Sequence, residues 1–284
     1  MLSLELPKPS SLAPVAVPGR GELTVVRAAD GRSVATRAYS TSPLRLLMPN
    51  NHGNAAWVYT SSYGGGLVDG DHLALDIDIG AGAAAFVSTQ ASTKVYRSAE
   101  GTSAQVHARI GRSGLLVIAP DPVVCFAASR YRQTQDFDVA EGGGLVVVDW
   151  LSSGRHASGE RWAFDEYRAR LRVRQSGTLI VHDSLALRAA DGDLAARLGR
   201  FDVLGTALLL GPSVRDQAAE IVTRVAQLPV SRRADQCLAA SAVGEGGCHL
   251  CFAGTSVEHA GRMLREYLEF VPQLLGDDPW ARKW

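Results

Sequence analysis

Short apolar segments that alternate residue by residue, cut by Gly, Pro and Asp, limit this chain's fold more than any other feature. HLALDIDIG, His72 to Gly80, puts Leu73, Leu75, Ile77 and Ile79 on one side and Asp76 and Asp78 on the other. Period two is the signature of a half-buried strand. LTVVRAADGRSVATRAYS reads as two strands turning at Asp30-Gly31, and YRARLRVRQSGTLIVHDSLAL as a hairpin turning at Ser176-Gly177. LRLLMPNN, AAWVYTSS, AAAFVSTQ, GLLVIAPDP, GGGLVVVDWL and GTALLLGP are further short β segments. Turn signals at intervals of roughly 8–12 residues point to a mainly β fold.

Helical periodicity is confined to the last third. SVRDQAAEIVTRVAQLP offers Ser213 and Asp216 as a capping pair, with Ala218, Ile221, Val222, Val225 and Leu228 on one face. TSVEHAGRMLREYLEFVPQLLG offers Thr255 and Glu258 as its caps, and Pro272 should kink or end it. Val257, Leu264, Leu268, Val271 and Leu275 line its apolar face. No internal repeat or linker divides the chain. The expected organisation is a Pro-rich arm over 1–20 and one β-rich domain with a few helices over 21–284.

Composition narrows the function. Hydrophobic residues make up 46% and charged residues 20% of the 284, which suits a folded core rather than disorder. Lys+Arg is 29 and Asp+Glu is 29, so the net charge is zero. With no field of one sign and no basic run, neither nucleic acid nor an anionic membrane is an expected partner. No stretch reaches the roughly 18 apolar residues of a membrane span. MLSLELPKPSSLAPVAVPG lacks the apolar run of a signal peptide, so a cytoplasmic location is expected. The four cysteines, Cys125, Cys237, Cys248 and Cys251, are expected as reduced thiols.

Catalytic signatures are missing: there is no GxSxG elbow, no GxxxxGK[ST] loop and no HExxH. GRHASGE holds Arg155, His156, Ser158 and Glu160. Triad members normally come from distant parts of a chain, so this stretch reads as a polar corner or partner surface. If extended, it points His156, Ser158 and Glu160 to one face. GCHLC, with Cys248, His249 and Cys251, could close a zinc site with Cys237 or His259; the simpler reading is a strand with small buried thiols. Asp165 with Glu166, or Asp149 with Glu160, could serve a glycosidase. Aromatic content of 7% argues against a sugar cleft. In STQASTKVYRS, continued strand register puts Gln90, Ser92, Lys94, Tyr96 and Ser98 on one face, and Thr89, Ala91, Thr93 and Val95 on the other. Gln90, Lys94, Tyr96 and Arg97 then form a polar surface suited to a partner.

GGGLVDGDHLALDIDIGAGAAAFVSTQASTKVYRS resembles the signature region of the UreD (UreH) family of urease accessory proteins. PDPVVCFAASRYRQ, DWLSSGRHASGERWAF, RLGRFDVLGTALLLGP and LLGDDPWARKW continue the resemblance, in order, from about Gly21 to Trp284. It is weakest from Arg232 to Gly254, and the arm before Gly21 lies outside it. The resemblance implies a helically wound β-rich fold and a non-enzymatic chaperone between apo-urease and the accessory partners UreF and UreG, a GTPase. Such a protein has no cofactor of its own and handles nickel transiently, on an internal passage toward the two-nickel site of urease. Asp71, His156 and Glu160 are expected to line that passage, and Gln90, Lys94, Tyr96, Arg97 and Arg155 to face partners or buttress it. The alternatives are a β-rich hydrolase using paired carboxylates and a β-rich adaptor unrelated to nickel.

Overall fold

The computed structural model describes residues 18–155 and 158–281. Among the described residues, seventeen strands form two sheets. The seven-stranded sheet contains β1 (Arg20–Arg27), β2 (Ser33–Ser40), β5 (His72–Ile79), β8 (Thr102–Ile110), β11 (Arg130–Val139), β13 (Glu166–Gln175) and β14 (Thr178–Arg188), in the order β14-β13-β11-β8-β5-β1-β2. The ten-stranded sheet contains β3 (Leu44–Leu47), β4 (Ala56–Ser62), β6 (Ala84–Thr89), β9 (Leu115–Ile118), β12 (Gly144–Ser152), β15 (Val203–Leu210), β16 (Gln236–Val243) and β17 (Gly247–Gly254), in the order β16-β17-β15-β12-β9-β6-β4-β3. Two short strands, β7 (Thr93–Val95) and β10 (Val123–Cys125), pair with each other, and β10 also pairs with β12.

The mainly β reading holds, and so does the helical winding. From β4 to β13 the chain alternates between the sheets, and neighbouring turns of the coil pair in parallel. Ile79 lies beside Ile110, which lies beside Val139. In the other sheet Ala85 lies beside Leu116, which lies beside Leu145. Successive corners stack directly: the Gly111 amide donates to the Ile79 carbonyl at 2.7 Å, and the Ala140 amide to that of Ile110 at 2.8 Å. A Cβ on Gly111 would lie 2.9 Å from the Ala81 nitrogen, so only glycine fits that corner. The predicted hairpins β1–β2 and β13–β14 are antiparallel pairs. At the second, Ser176 and Gly177 both take positive φ.

Among the described residues four α-helices follow late: α1 (Leu194–Leu198), α2 (Arg215–Ala226), α3 (Val257–Tyr267) and α4 (Val271–Leu275). Their predicted starts need correction. α2 is preceded by Val214 with no side-chain cap, because a 3-10 turn over Pro212–Val214 feeds straight into it; Ser213 caps nothing there. α3 is capped by Ser256 rather than Thr255; the Ser256 hydroxyl accepts from the His259 amide and donates to Glu258 at 2.6 Å. α3 already ends at Tyr267, a turn over residues 268–270 follows, and Pro272 sits in the first turn of α4, where its missing N–H costs nothing, rather than ending the helix as expected. α1 carried no clear signal beyond Asp193, which accepts from the Ala196 amide.

The ten-stranded sheet is covered on both faces. Trp57, Phe86, Val117, Val146, Val148, Leu209 and Leu250 pack against Ile221, Met263, Leu264, Val271 and Leu275 of the helices. Its other face meets the seven-stranded sheet in two separate cores. One joins Leu23, Ile77, Ile79, Ile110, Phe137 and Val173 to Val58, Val87, Ile118, Val147 and Leu208. The other gathers Leu67, Val95, Val123, Tyr131, Leu151, Trp162, Phe164 and Tyr167. Burying both faces explains why β9 and β12 read as continuous apolar runs. No helix among the described residues is long and apolar enough to cross a membrane.

Candidate functional site: a polar band between the sheets

Between these two cores the inward positions turn polar. Along β11, Tyr131 belongs to one core and Phe137 to the other, and Gln133 and Gln135 stand between. Along β12, Leu151 and Val147 belong to the two cores and Asp149 stands between. On β14, Asp183 occupies the same level between Val181 and Leu185. Thr206 lies beside Asp149 on β15, and Cys251 beside Thr206 on β17.

Contacts tie the band together. The Gln135 amide donates to the Asp149 carboxylate at 3.2 Å, and the Tyr131 hydroxyl donates to Gln133 Oε1 at 3.1 Å. The Asp149 carboxyl is enclosed by protein although its strand position keeps some exposed area. Burial pushes it up from 3.8 to about 6, helped by the charge of Asp183 and opposed by bonds from Gln133 and Gln135. His249 Nε2 lies 3.8 Å from Asp183 and has no hydrogen-bond partner; its Nδ1 lies 3.9 Å from the Cys251 sulfur. Burial lowers the His249 pKa, favouring neutral imidazole, a form able to meet a cation.

A cavity of about 130 Å³ opens onto this band, lined by Val87, Thr89, Asp121, Gln133, Gln135 and Asp149 among others. A second cavity of about 160 Å³ adjoins it, sharing Thr60, Leu67, Thr89 and Thr93, and reaches the surface at Gln90, Ala91 and Ser92. Asp121 is buried; its amide donates to the Thr89 hydroxyl at 2.8 Å. The local sequence signal of this band is Asp149, which interrupts an apolar strand at an inward position.

The singled-out residues scatter around this feature. STQASTKVYRS is not one continuous strand. β6 stops at Thr89, the chain bends at Gln90 and Ala91, and β7 restarts at Thr93. Ala91 is therefore exposed and Ser98 buried, against the predicted faces. Gln90 lines the outer cavity, and Lys94 and Arg97 are exposed. Tyr96 meets Phe126 edge-on at 5.2 Å.

Arg155 lies over Phe126, its guanidinium 4.3 Å from the ring centre, and is ion-paired to Glu160. Among the described residues of GRHASGE, the Ser158 and Glu160 amides both donate to the Arg155 carbonyl, which draws Arg155 and Glu160 together rather than apart as in an extended segment. Glu160 also accepts from the Ala127 amide at 3.2 Å. The Arg155 bond, then this amide, hold its pKa below the usual carboxylate range. His156 lies outside the described residues. Asp71 accepts from the Val68 amide at 2.8 Å and holds a turn. Neither Asp71 nor Glu160 is among the residues lining the two cavities.

The zinc alternative at GCHLC is corrected by strand geometry. β17 alternates, so Cys248 packs into the helix-side core while His249 and Cys251 face the other way. Cys237 and Cys251 are exposed, Cys125 and Cys248 buried, and all four are free thiols. Among the described residues no three His, Cys, Asp or Glu side chains are arranged to hold a metal ion. The paired-carboxylate alternative meets a similar obstacle: Asp165 is ion-paired to Arg130 at 3.3 Å, and Glu166 to Arg132 at 3.1 Å and to Arg168. Both carboxylates are engaged by arginines rather than presented together to a substrate.

Comparison with known proteins places this architecture in a family. Residues 18–284 match the family model described as UreD urease accessory protein. The chain is 50% identical to a urease accessory protein UreD of Sorangium cellulosum, over 94% of its own length and 84% of the relative's. It is 44% identical to a urease accessory protein UreD of Anaeromyxobacter, over 93% and 89%. It is 32% identical to urease accessory protein D of Arabidopsis thaliana, over 90% and 98%. The chain belongs to the UreD family of urease accessory proteins.

Proposed function

We propose that this chain is a non-catalytic scaffold of urease maturation that bridges apo-urease to UreF and UreG, with nickel as its transient cargo. Membership of the family supports the role in urease maturation. The observation that carries the finer reading is the Asp149 carboxylate, set in a polar band beside a cavity and between two apolar cores. Nickel favours imidazole, thiolate, carboxylate and water. Cargo entering at Gln90 and Ser92 meets Thr89 and Asp121, then Gln133, Gln135 and Asp149, which line the two cavities; Asp183, His249 and Cys251 extend the band beyond them. Single donors spaced along a path let an ion move on, where a closed site would trap it. Arg155, Phe126 and Tyr96 form a packed corner that fits a partner contact.

The test is co-expression with the urease subunits, UreF, UreG and nickel. Omitting the chain should leave urease without nickel and inactive. Asp149→Ala should lower urease nickel content about tenfold while the complex still co-purifies. Full activation without the chain would overturn the scaffold reading. Full activation with Asp149→Ala would overturn the path alone.

A further inference from the structure

An edge strand presents unpaired N–H and C=O groups, and natural sheets blunt their edges with charge, proline, bulges or shortness. Among the described residues, three of the four strands that end the two main strand orders are blunted. β2 carries Arg37 and pairs with β1 through a register shift at Thr24/Val25. β14 carries His182, Asp183 and Arg188, with a register shift at Val173/Arg174. β3 has four residues, includes Arg45 and follows Pro43. The fourth edge, β16, is eight residues long, Gln236 to Val243, with no charge and no proline. Its register with β17 is unbroken throughout.

The strand is bare in a second way. Cys237, Ala239, Ser241 and Ala242 are exposed. In the segment leading into it, Leu228 and Val230 are exposed apolar residues. An apolar, uncharged, regular edge beside exposed aliphatic side chains is the pattern of an interaction surface.

We propose that β16 is a self-association edge at which a second copy of this chain adds its own β16 antiparallel, about a two-fold axis. Charge argues for a second copy: the chain is neutral, and the strand meets its own image with no like charges opposed. Register argues the same way. A two-fold axis normal to the sheet keeps each face on its own side, so opposed residues share a face. One register sets Ala239 against itself and Cys237 against Ser241. The other sets Ala240 against itself and Cys237 against Val243. Both place alanine at the axis, where backbones approach without a clash.

Sedimentation velocity on the purified full chain, across a concentration series, tests this. A species of twice the 30.2 kDa chain mass is expected. Ala239→Lys, which puts two ammonium groups at the axis in the first register and one residue from it, opposite Ser241, in the second, should weaken it about tenfold or more. Ala38→Lys on exposed β2 should leave it unchanged. On oxidation, Ser241→Cys or Val243→Cys should trap a covalent dimer through Cys237, and which of them succeeds identifies the register. If Ala239→Lys fails to fold, amide exchange of wild-type β16 decides, since its protection must rise with concentration. A monomer at every concentration, or a dimer that Ala38→Lys weakens and Ala239→Lys does not, overturns the proposal.

Discussion

Gln135 on the seven-stranded sheet donates its side-chain amide to Asp149 on the ten-stranded sheet at 3.2 Å, crossing the interior between two apolar cores. A hydrophobic pair at this level would have merged those cores. A buried carboxylate is costly unless bonded, and Asp149 is only partly compensated, because Asp183 adds a like charge nearby. That uncompensated cost is what a passing cation would relieve.

Asp149→Asn should therefore stabilise the isolated protein at neutral pH. The folded pKa of about 6 stands above the ordinary 3.8. This group's favourable contribution is fully present below 3.8 and is lost as pH rises through about 6. Urea unfolding at pH 7.5 should show a gain of up to about 3 kcal/mol for the variant, shrinking toward zero near pH 4. Urease activation by the same variant should fall, so the loss cannot be blamed on unfolding.

Glu160 should behave in the opposite sense. Arg155 and the Ala127 amide hold its pKa below 4.5, so its contribution is present above 4.5 and lost as pH falls through the folded value. Glu160→Gln should cost about 1 kcal/mol at pH 7, because the pair is partly exposed. The difference from wild type should vanish in acid. Urease activation reduced far beyond that cost would assign Glu160 a contact with a partner.

Gly211, between β15 and the turn into α2, takes φ +105, and a Cβ there would sit 2.2 Å from the Gly143 carbonyl oxygen. Gly211→Ala should cost more than about 3 kcal/mol, since strain and backbone overlap add. Soluble yield and thermal midpoint measure it.

Thiol titration separates the cysteines. Cys237 and Cys251 should react with an aromatic disulfide reagent in the native protein. Cys125 and Cys248, pushed up by burial to about 12 and about 11, should react only on unfolding.

Much of this fold was legible in the chain. Strand β5 and the β13–β14 hairpin are written in local period-two alternation and in a turn that tolerates positive φ. The apolar face of α3 and α4 was equally local, whereas the break between them falls at residues 268–270, ahead of Pro272. The cap of α3 was misread by one residue because Thr255 and Ser256 can both cap, and only the path out of β17 chooses between them. The predicted face of Gln90 to Ser98 failed because the chain bends at Gln90 and Ala91 to reach β7, beyond the reach of a period-two pattern.

The band of Gln133, Gln135, Asp149 and Asp183 was not legible as a group. Each is a single polar residue in a different strand, and nothing local marks them as neighbours. The sequence by itself determined which residues are extended and which side of each strand is apolar, because backbone geometry sets that period within a few residues. Only the tertiary structure decided which strands lie side by side. Here successive turns of a coil pair in parallel without any sequence repeat, and a parallel register is set by side chains packing across the interior from residues far away in the chain.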